Sequence, residues 1–251
     1  YARNYESAIP GFEAEEYNCK DWEDIYVPAH IQMEGYDAPQ YANVQYPWEG
    51  HEEINPGEIP THFNPTASYV KYFTVPEQMQ GKRLFISFQG AESGLALWLN
   101  GKFVGYSEDS FTPSEFELTE YVKEGENKLA AQVFKWTASS WCEYQDFYRF
   151  SGIYRDVYLY TVPEVHVNDL RIRAIPDVSL ASADFELTTK TWGKGQLKIV
   201  LSKEGNVVLE DVKEISDEDT FSWKVDAPVL WSAEDPQLYD LELTVSDENG
   251  N

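Results

Sequence analysis

Two stretches of this sequence hold the residue types that could do chemistry. The first is Asp146-Phe147-Tyr148-Arg149-Phe150-Ser151-Gly152-Ile153-Tyr154-Arg155-Asp156-Val157, with two arginines and two aspartates set among aromatic rings around a Ser-Gly turn. Charged groups among aromatics are costly to bury unless they are paired. Such a cluster is either a salt-bridged loop or a polar ligand site, and the residues alone weigh the two evenly. The second stretch runs Gly35-Tyr36-Asp37-Ala38-Pro39-Gln40-Tyr41-Ala42-Asn43-Val44-Gln45-Tyr46-Pro47, dense in turn formers and without a helical period. Taken plainly it is an ordered surface loop. Asn43, however, is a neutral donor and acceptor in an aromatic surround, which suits sugar hydroxyls.

Composition narrows the partners. The net charge is −25, from 44 acidic against 19 basic residues, and no basic patch is concentrated enough to hold a phosphate backbone. Nucleic acid and anionic membrane surfaces are excluded on that ground. No apolar run approaches membrane-spanning length. His30, His51, His62 and His166 are scattered without metal-ligand spacing, and so are Cys19 and Cys142. Two free thiols in a reducing compartment is the plainer expectation for the cysteines, although a disulfide is the alternative. An aromatic content of 15% favours strands and suits sugar-facing surfaces, because a flat ring can lie against the apolar face of a pyranose.

The elements that must position these residues are short strands. Ile25-Tyr26-Val27 reads as one such strand, broken at Pro28. Residues 67–75 and 83–89 alternate in polarity, and Leu95 to Leu99 leads into Asn100-Gly101, a strong hairpin signal before Phe103 to Tyr106. Thr112-Pro113-Ser114-Glu115 predicts a short capped turn anchored by Leu118 and Tyr121-Val122. Leu129 to Trp136 reads as a buried strand. Turn signals about every ten residues argue for an antiparallel sandwich, most simply a jelly roll. Near Thr161-Val162-Pro163-Glu164 the composition shifts. Strands are then expected at 165–174, 182–192, 195–203, 206–215, 220–225 and 239–246, separated by turns that include Gly193-Lys194-Gly195 and Lys203 to Asn206. That spacing suits an immunoglobulin-like sandwich. The acidic runs Glu210-Asp211 and Asp217 to Asp219 are expected at solvated loop tips. The fold class is therefore all-β, a jelly-roll domain over residues 1–162 and an immunoglobulin-like domain over 163–251.

Several motifs, in order, resemble family 2 glycoside hydrolases, specifically the long β-galactosidases of the bacterial lactose-operon type. They are Val27-Pro28, then Gly35 to Pro39 with Tyr41 to Pro47, then Asn64-Pro65-Thr66. Leu97 to Ser107, Pro113 to Leu118 and Gly125-Glu126-Asn127 follow, then Gln145-Asp146 through Val157. Pro228-Val229-Leu230-Trp231-Ser232 and Pro236-Gln237-Leu238-Tyr239 complete the series. The resemblance implies a sugar-binding jelly roll followed by an immunoglobulin-like domain, with the two catalytic glutamates on a (β/α)8 barrel that is missing here. No residue of this chain is expected to be catalytic. By the same resemblance, Asn43 reaches into the galactosyl site, Asp146 fixes the sugar 6-hydroxyl and contributes part of a sodium site, and Tyr41 lies near the same pocket. Magnesium, common in the family, finds no secure ligand in this sequence.

Arg149, Arg155 and Asp156 are expected to brace the loop that carries Asp146. Trp98 is expected in the core, as are Trp136 and Trp141, either of which could instead be a stacking platform. The family has a short strand before the position of Tyr1 and another after Asn251, so the chain is expected to be a piece of a cytoplasmic, homo-oligomeric enzyme acting on a β-galactoside. The rival expectations are a free-standing carbohydrate-binding module and a structural or oligomerisation module. The family also contains β-glucuronidases and β-mannosidases; the loop around Asn43 favours the galactosidase branch, while the preferred glycoside is not fixed by these residues.

Overall fold

Alternation of apolar and polar residues builds two antiparallel sandwiches. The computed structural model describes residues 2–4, 7–143 and 146–250, and the chain divides into units 1–161 and 162–251. Gln145, Tyr1 and Asn251 lie outside the described residues. No helix among those described is long and apolar enough to cross a membrane.

In the first unit the strands are β1 (Ala2–Asn4), β2 (Gln40–Ala42), β3 (Pro65–Thr74), β4 (Arg83–Phe88), β5 (Ala91–Glu92), β6 (Gly94–Leu99) and β7 (Lys102–Ser107). They continue as β8 (Ser114–Glu117), β9 (Glu126–Phe134), β10 (Phe147–Arg149), β11 (Gly152–Ile153) and β12 (Val157–Val162), with a one-turn helix α1 at Ser140–Glu143. One sheet has the order β1-β3-β9-β6-β7 and a second the order β12-β4-β8, while β10-β2 and β11-β5 form short ribbons. The jelly-roll core draws Leu84, Ile86 and Phe88 from β4, Leu95, Leu97 and Leu99 from β6, and Ala131 and Val133 from β9. Leu97 and Leu99 have no exposed surface; burying each contributes roughly 1.5–3 kcal/mol. Asn100 and Gly101 both take positive φ, the geometry of a tight hairpin turn between β6 and β7.

The expected capped turn at 112–115 is instead the start of a strand. Ser114 to Glu117 pairs with β4, placing Glu117 within 2.7 Å of Arg83, and the Ser114 hydroxyl bonds Ser107 rather than capping a helix. The turn comes later, where the Tyr121 and Val122 amides donate to the Leu118 carbonyl. Residues 25–28, expected to hold a short strand, are irregular.

The second unit has four long strands, β13 (His166–Pro176), β14 (Ser182–Lys203), β15 (Asn206–Asp226) and β16 (Asp240–Asp247), where six were expected. The Gly193-Lys194-Gly195 segment is a bulge, not a turn. The register of β14 on β15 shifts between Thr191 and Lys194, where Gly193 has φ +80° and Asp217, the partner of Thr191, has φ +65°. β13 pairs with the half of β14 before the bulge and β16 with the half after it. Leu187 from the first half packs with Leu197 and Ile199 from the second, and with Ile215, so the bent hairpin faces itself as an immunoglobulin-like sandwich. Glu210, Asp211 and Asp217 to Asp219 accordingly lie within β15 and not at loop tips. Glu210 pairs with Lys198, and Asp211 accepts from Trp223 Nε1.

Candidate functional site

The two stretches singled out in the sequence become neighbours through one short ribbon. β2 pairs with β10, Tyr41 opposite Tyr148 and Ala42 opposite Phe147. Asp146 stands just before β10 with φ +53°, a sparsely populated conformation for a residue with a side chain. The Tyr41 hydroxyl donates a short hydrogen bond to Asp146 Oδ1. That bond holds the phenol proton and raises Tyr41 above the usual tyrosine range. No hydrogen bond reaches Asp146 Oδ2 among the described residues.

Asn43 follows β2 in a bend. It is exposed, and its amide makes no hydrogen bond among the described residues. Gln40 Nε2 closes the loop by donating to the Pro47 carbonyl at 2.9 Å. Trp48, buried, then fixes the loop's far end edge-on against Trp136 at 6.1 Å. Trp136 is thus core, while Trp141 is half-buried on the Tyr46 and Trp48 rings and donates its Nε1 to the Glu58 carbonyl. Trp98 packs edge-on against Phe12 and Phe103.

Tyr41, Asp146, Phe147 and Tyr148 line a cleft of about 370 Å³, at the small end for ligand sites. His30, Glu92, Phe111, Phe150 and Tyr154 complete its lining. His30 stacks on Tyr154 at 4.9 Å and lies tilted on Phe150 at 4.8 Å. Burial holds its imidazole below the usual histidine range, so it is neutral at pH 7. Glu92 is buried, placed beside the Ser151-Gly152 turn by the pairing of β5 with β11.

A polar network underlies the ribbon. Lys135 Nζ lies 2.6 Å from Asp37 Oδ2, and Gln32 Nε2 donates to the same oxygen at 2.7 Å and to Ser151 Oγ at 3.0 Å. Ser151 N donates back to Gln32 Oε1 at 2.9 Å. Burial lowers the Lys135 ammonium below the usual lysine range, and Asp37 offsets part of that. Arg149, with no exposed surface, donates to the Ala42 carbonyl at 3.4 Å and so ties the ribbon from beneath. Arg155 instead donates to the Gln89 and Phe111 carbonyls, and the Asp156 carbonyl accepts from Gln89 N. Those two residues hold the neighbouring loops.

The structure therefore brings Tyr41 and Asp146 into one cleft and leaves Asn43 at the end of the strand that carries Tyr41. Sequence reasoning missed His30, Glu92 and Phe111. A signal existed for Glu92 alone: an acid enclosed by small residues, Gly90-Ala91-Glu92-Ser93-Gly94, has no reason to be solvated if its strand is buried. Chemically the cleft offers a free carboxylate oxygen, a fixed phenol and aromatic faces. That combination can accept from hydroxyls and pack against C–H surface. Among the described residues no group of three His, Cys, Asp or Glu could hold a metal ion.

Comparison with known proteins finds two matching family models. "Glycosyl hydrolases family 2, sugar binding domain" matches residues 7–163, and "Glycosyl hydrolases family 2" matches residues 165–251. A β-galactosidase of Halalkalibacterium halodurans is 51% identical over all of this chain and 25% of its own length. A β-galactosidase of Clostridium acetobutylicum is 46% identical over all of this chain and 28% of its own length. The chain thus spans about a quarter of the length of these relatives. Among solved structures, a β-glycosidase from Bacteroides vulgatus has a TM-score of 0.68 at 24% identity, covering 96% of this chain and 30% of that one. A β-glucuronidase of an uncultured Clostridium has a TM-score of 0.66 at 22% identity, covering 98% of this chain and 41% of that one. These two share the fold.

Proposed function

We propose a function from one premise: the chain belongs to family 2 of the glycosyl hydrolases. It is the non-catalytic N-terminal part of a β-galactosidase, and it supplies residues to a galactosyl site completed by the rest of the enzyme. The names carried by its relatives at 51% and 46% identity support the substrate. Retaining glycoside hydrolysis needs two carboxyl groups about 5 Å apart across the scissile bond. Those groups are assigned to the part of the enzyme outside this chain.

The observation that carries the site is the Tyr41 to Asp146 hydrogen bond within the cleft. With Oδ1 held by Tyr41, Asp146 keeps Oδ2 free to accept from the sugar 6-hydroxyl. Asn43 offers both a donor and an acceptor to the same galactosyl group. Each of these contacts binds and orients substrate; none moves a proton in the reaction. Sodium fits the same carboxylate, because a hard cation takes oxygen ligands and Asp146 Oδ2 is one. Asp146 would be a single ligand of that ion, fixing the carboxylate against the hydroxyl, with the other ligands and any magnesium site elsewhere in the enzyme. A cytoplasmic location is consistent with Cys19 and Cys142, both free thiols.

Asn43→Ala and Asp146→Asn in the full-length enzyme test the proposal. Each is expected to raise KM for β-galactosides tenfold or more without moving the melting midpoint. Unchanged turnover in both variants would leave the chain as a structural or assembly module.

A further inference from the structure

We propose that Phe111 is a further substrate-binding residue of this site, the apolar wall on which the C–H face of the bound pyranose rests while Asp146 and Tyr41 take its hydroxyls. The assignment rests on the cleft being a galactosyl site.

Phe111 lies in the loop between β7 and β8, far in sequence from both stretches that form the ribbon, yet it lines the same cleft as Asp146 and Tyr41. The residue is 48% exposed. A large apolar side chain left in solvent on a loop is ordinarily free to move. Here the backbone beneath it is pinned from three sides. Asp109 Oδ1 accepts from the Phe111 and Thr112 amides, each at 3.0 Å, and Asp109 Oδ2 accepts a short bond from the Thr112 hydroxyl. The Tyr154 hydroxyl donates to the Ser110 carbonyl at 2.6 Å. Arg155 Nη1 donates to the Phe111 carbonyl at 2.8 Å. The ring itself stands edge-on to Phe147, centroids 6.2 Å apart at 84°.

Tyr154 and Phe147 also line the cleft, so the loop is tied to the very residues that shape the site. Pre-ordering an exposed aromatic in this way lowers the entropy cost of whatever binds there. The occupant is indicated by the neighbouring groups. Asp146 presents a free acceptor oxygen and Tyr41 a fixed hydroxyl, so the ligand carries hydroxyls on one side. A ring face with negative electrostatic character suits polarised C–H groups on the other. A pyranose has both surfaces, and a cleft of about 370 Å³ holds one sugar ring.

The test measures KM and kcat of the full-length enzyme for nitrophenyl β-D-galactoside and for nitrophenyl β-D-fucoside, its 6-deoxy analogue. Phe111→Ala is expected to raise KM roughly three- to tenfold for both substrates, the size of one aromatic contact, with kcat within a factor of two. Phe111→Trp keeps the ring face and is expected to stay near the wild-type KM. Phe111→Leu guards against a folding defect, since it keeps the bulk without a π face and is expected to match Ala in KM at an unchanged melting midpoint. Asp146→Asn is the control, expected to weaken the galactoside and spare the 6-deoxy analogue.

If Asp146→Asn behaves so while Phe111→Ala and Phe111→Leu leave both KM values within a factor of two, the proposal is overturned. The galactosyl site then stands, and Phe111 is a packing contact with the rest of the enzyme. If neither position affects either substrate, the site itself is misassigned and the proposal goes with it.

Discussion

Replacing Asp37 by asparagine removes the anion that faces a lysine with 1% exposed surface. Lys135 then has two options. It can remain charged without its partner, at the cost of about 3–5 kcal/mol that follows from breaking a buried pair. Alternatively it can lose its proton. From an ordinary pKa of 10.5, that costs about 1.4 kcal/mol per pH unit, so about 5 kcal/mol at pH 7 and about 1.4 kcal/mol at pH 9.5. The cheaper option sets the loss. The introduced amide retains a carbonyl for Gln32 Nε2, so the hydrogen-bond network survives in part.

The sign follows from proton counting. The unfolded lysine binds its proton up to its ordinary pKa, whereas in the variant the folded lysine releases it earlier, so the variant gains stability as pH rises toward 10.5. Asp37→Asn is therefore expected to destabilise the first unit by about 3–5 kcal/mol at pH 7 and by less than about 2 kcal/mol at pH 9.5. Urea unfolding followed by tryptophan fluorescence, wild type against variant at both pH values, measures the difference. An equal loss at the two pH values would show that the lysine charge is not what Asp37 compensates. A loss under about 1 kcal/mol at pH 7 would refute the buried pair altogether.

Three further outcomes are expected. His30 is held below its ordinary 6.5 by burial, so the unfolded chain binds its proton first and this group costs stability as pH falls below 6.5; His30→Phe should flatten the fall in urea midpoint between pH 7.5 and 5.5. Lys128, buried with its ammonium donating to the Phe12, Ala14 and Tyr17 carbonyls at 2.6–2.7 Å, clamps the 12–17 loop onto β9. Lys128→Met should cost about 3 kcal/mol in urea unfolding and open that loop to proteolysis. In the second unit a Cβ on Gly195 would overlap the Ser246 carbonyl oxygen, so Gly195→Ala should break the β14 to β16 pairing, seen as loss of amide protection along β16.

Much of the architecture was legible because its signals are local. Alternation in Arg83 to Phe88 and the Asn100-Gly101 pair act within a few residues, where strand pleat and turn sterics decide the outcome. Gly193-Lys194-Gly195 was ambiguous for a physical reason. A turn and a bulge both use glycine at positive φ, and the distinction lies in what pairs across the strand, here β15 on one side and two different strands on the other. Thr112 to Glu115 likewise carried a capped-turn pattern that strand β4 overrode by offering Ser114 to Glu117 a ladder and Glu117 a partner.

The sequence by itself determined the two β-sandwiches, the turn-rich loop that carries Tyr41 and Asn43, and the charged aromatic stretch that begins at Asp146, whereas the short strand Gln40–Ala42 inside that loop exists only because Phe147–Arg149 pairs with it. Only the tertiary structure decided that Tyr41 and Asp146, 105 residues apart, share a hydrogen bond, and that His30, Glu92 and Phe111 meet them in one cleft. Local propensity acts over a turn or a pleat, whereas a site is assembled by strand pairing and burial between segments whose separation along the chain carries no trace of their meeting.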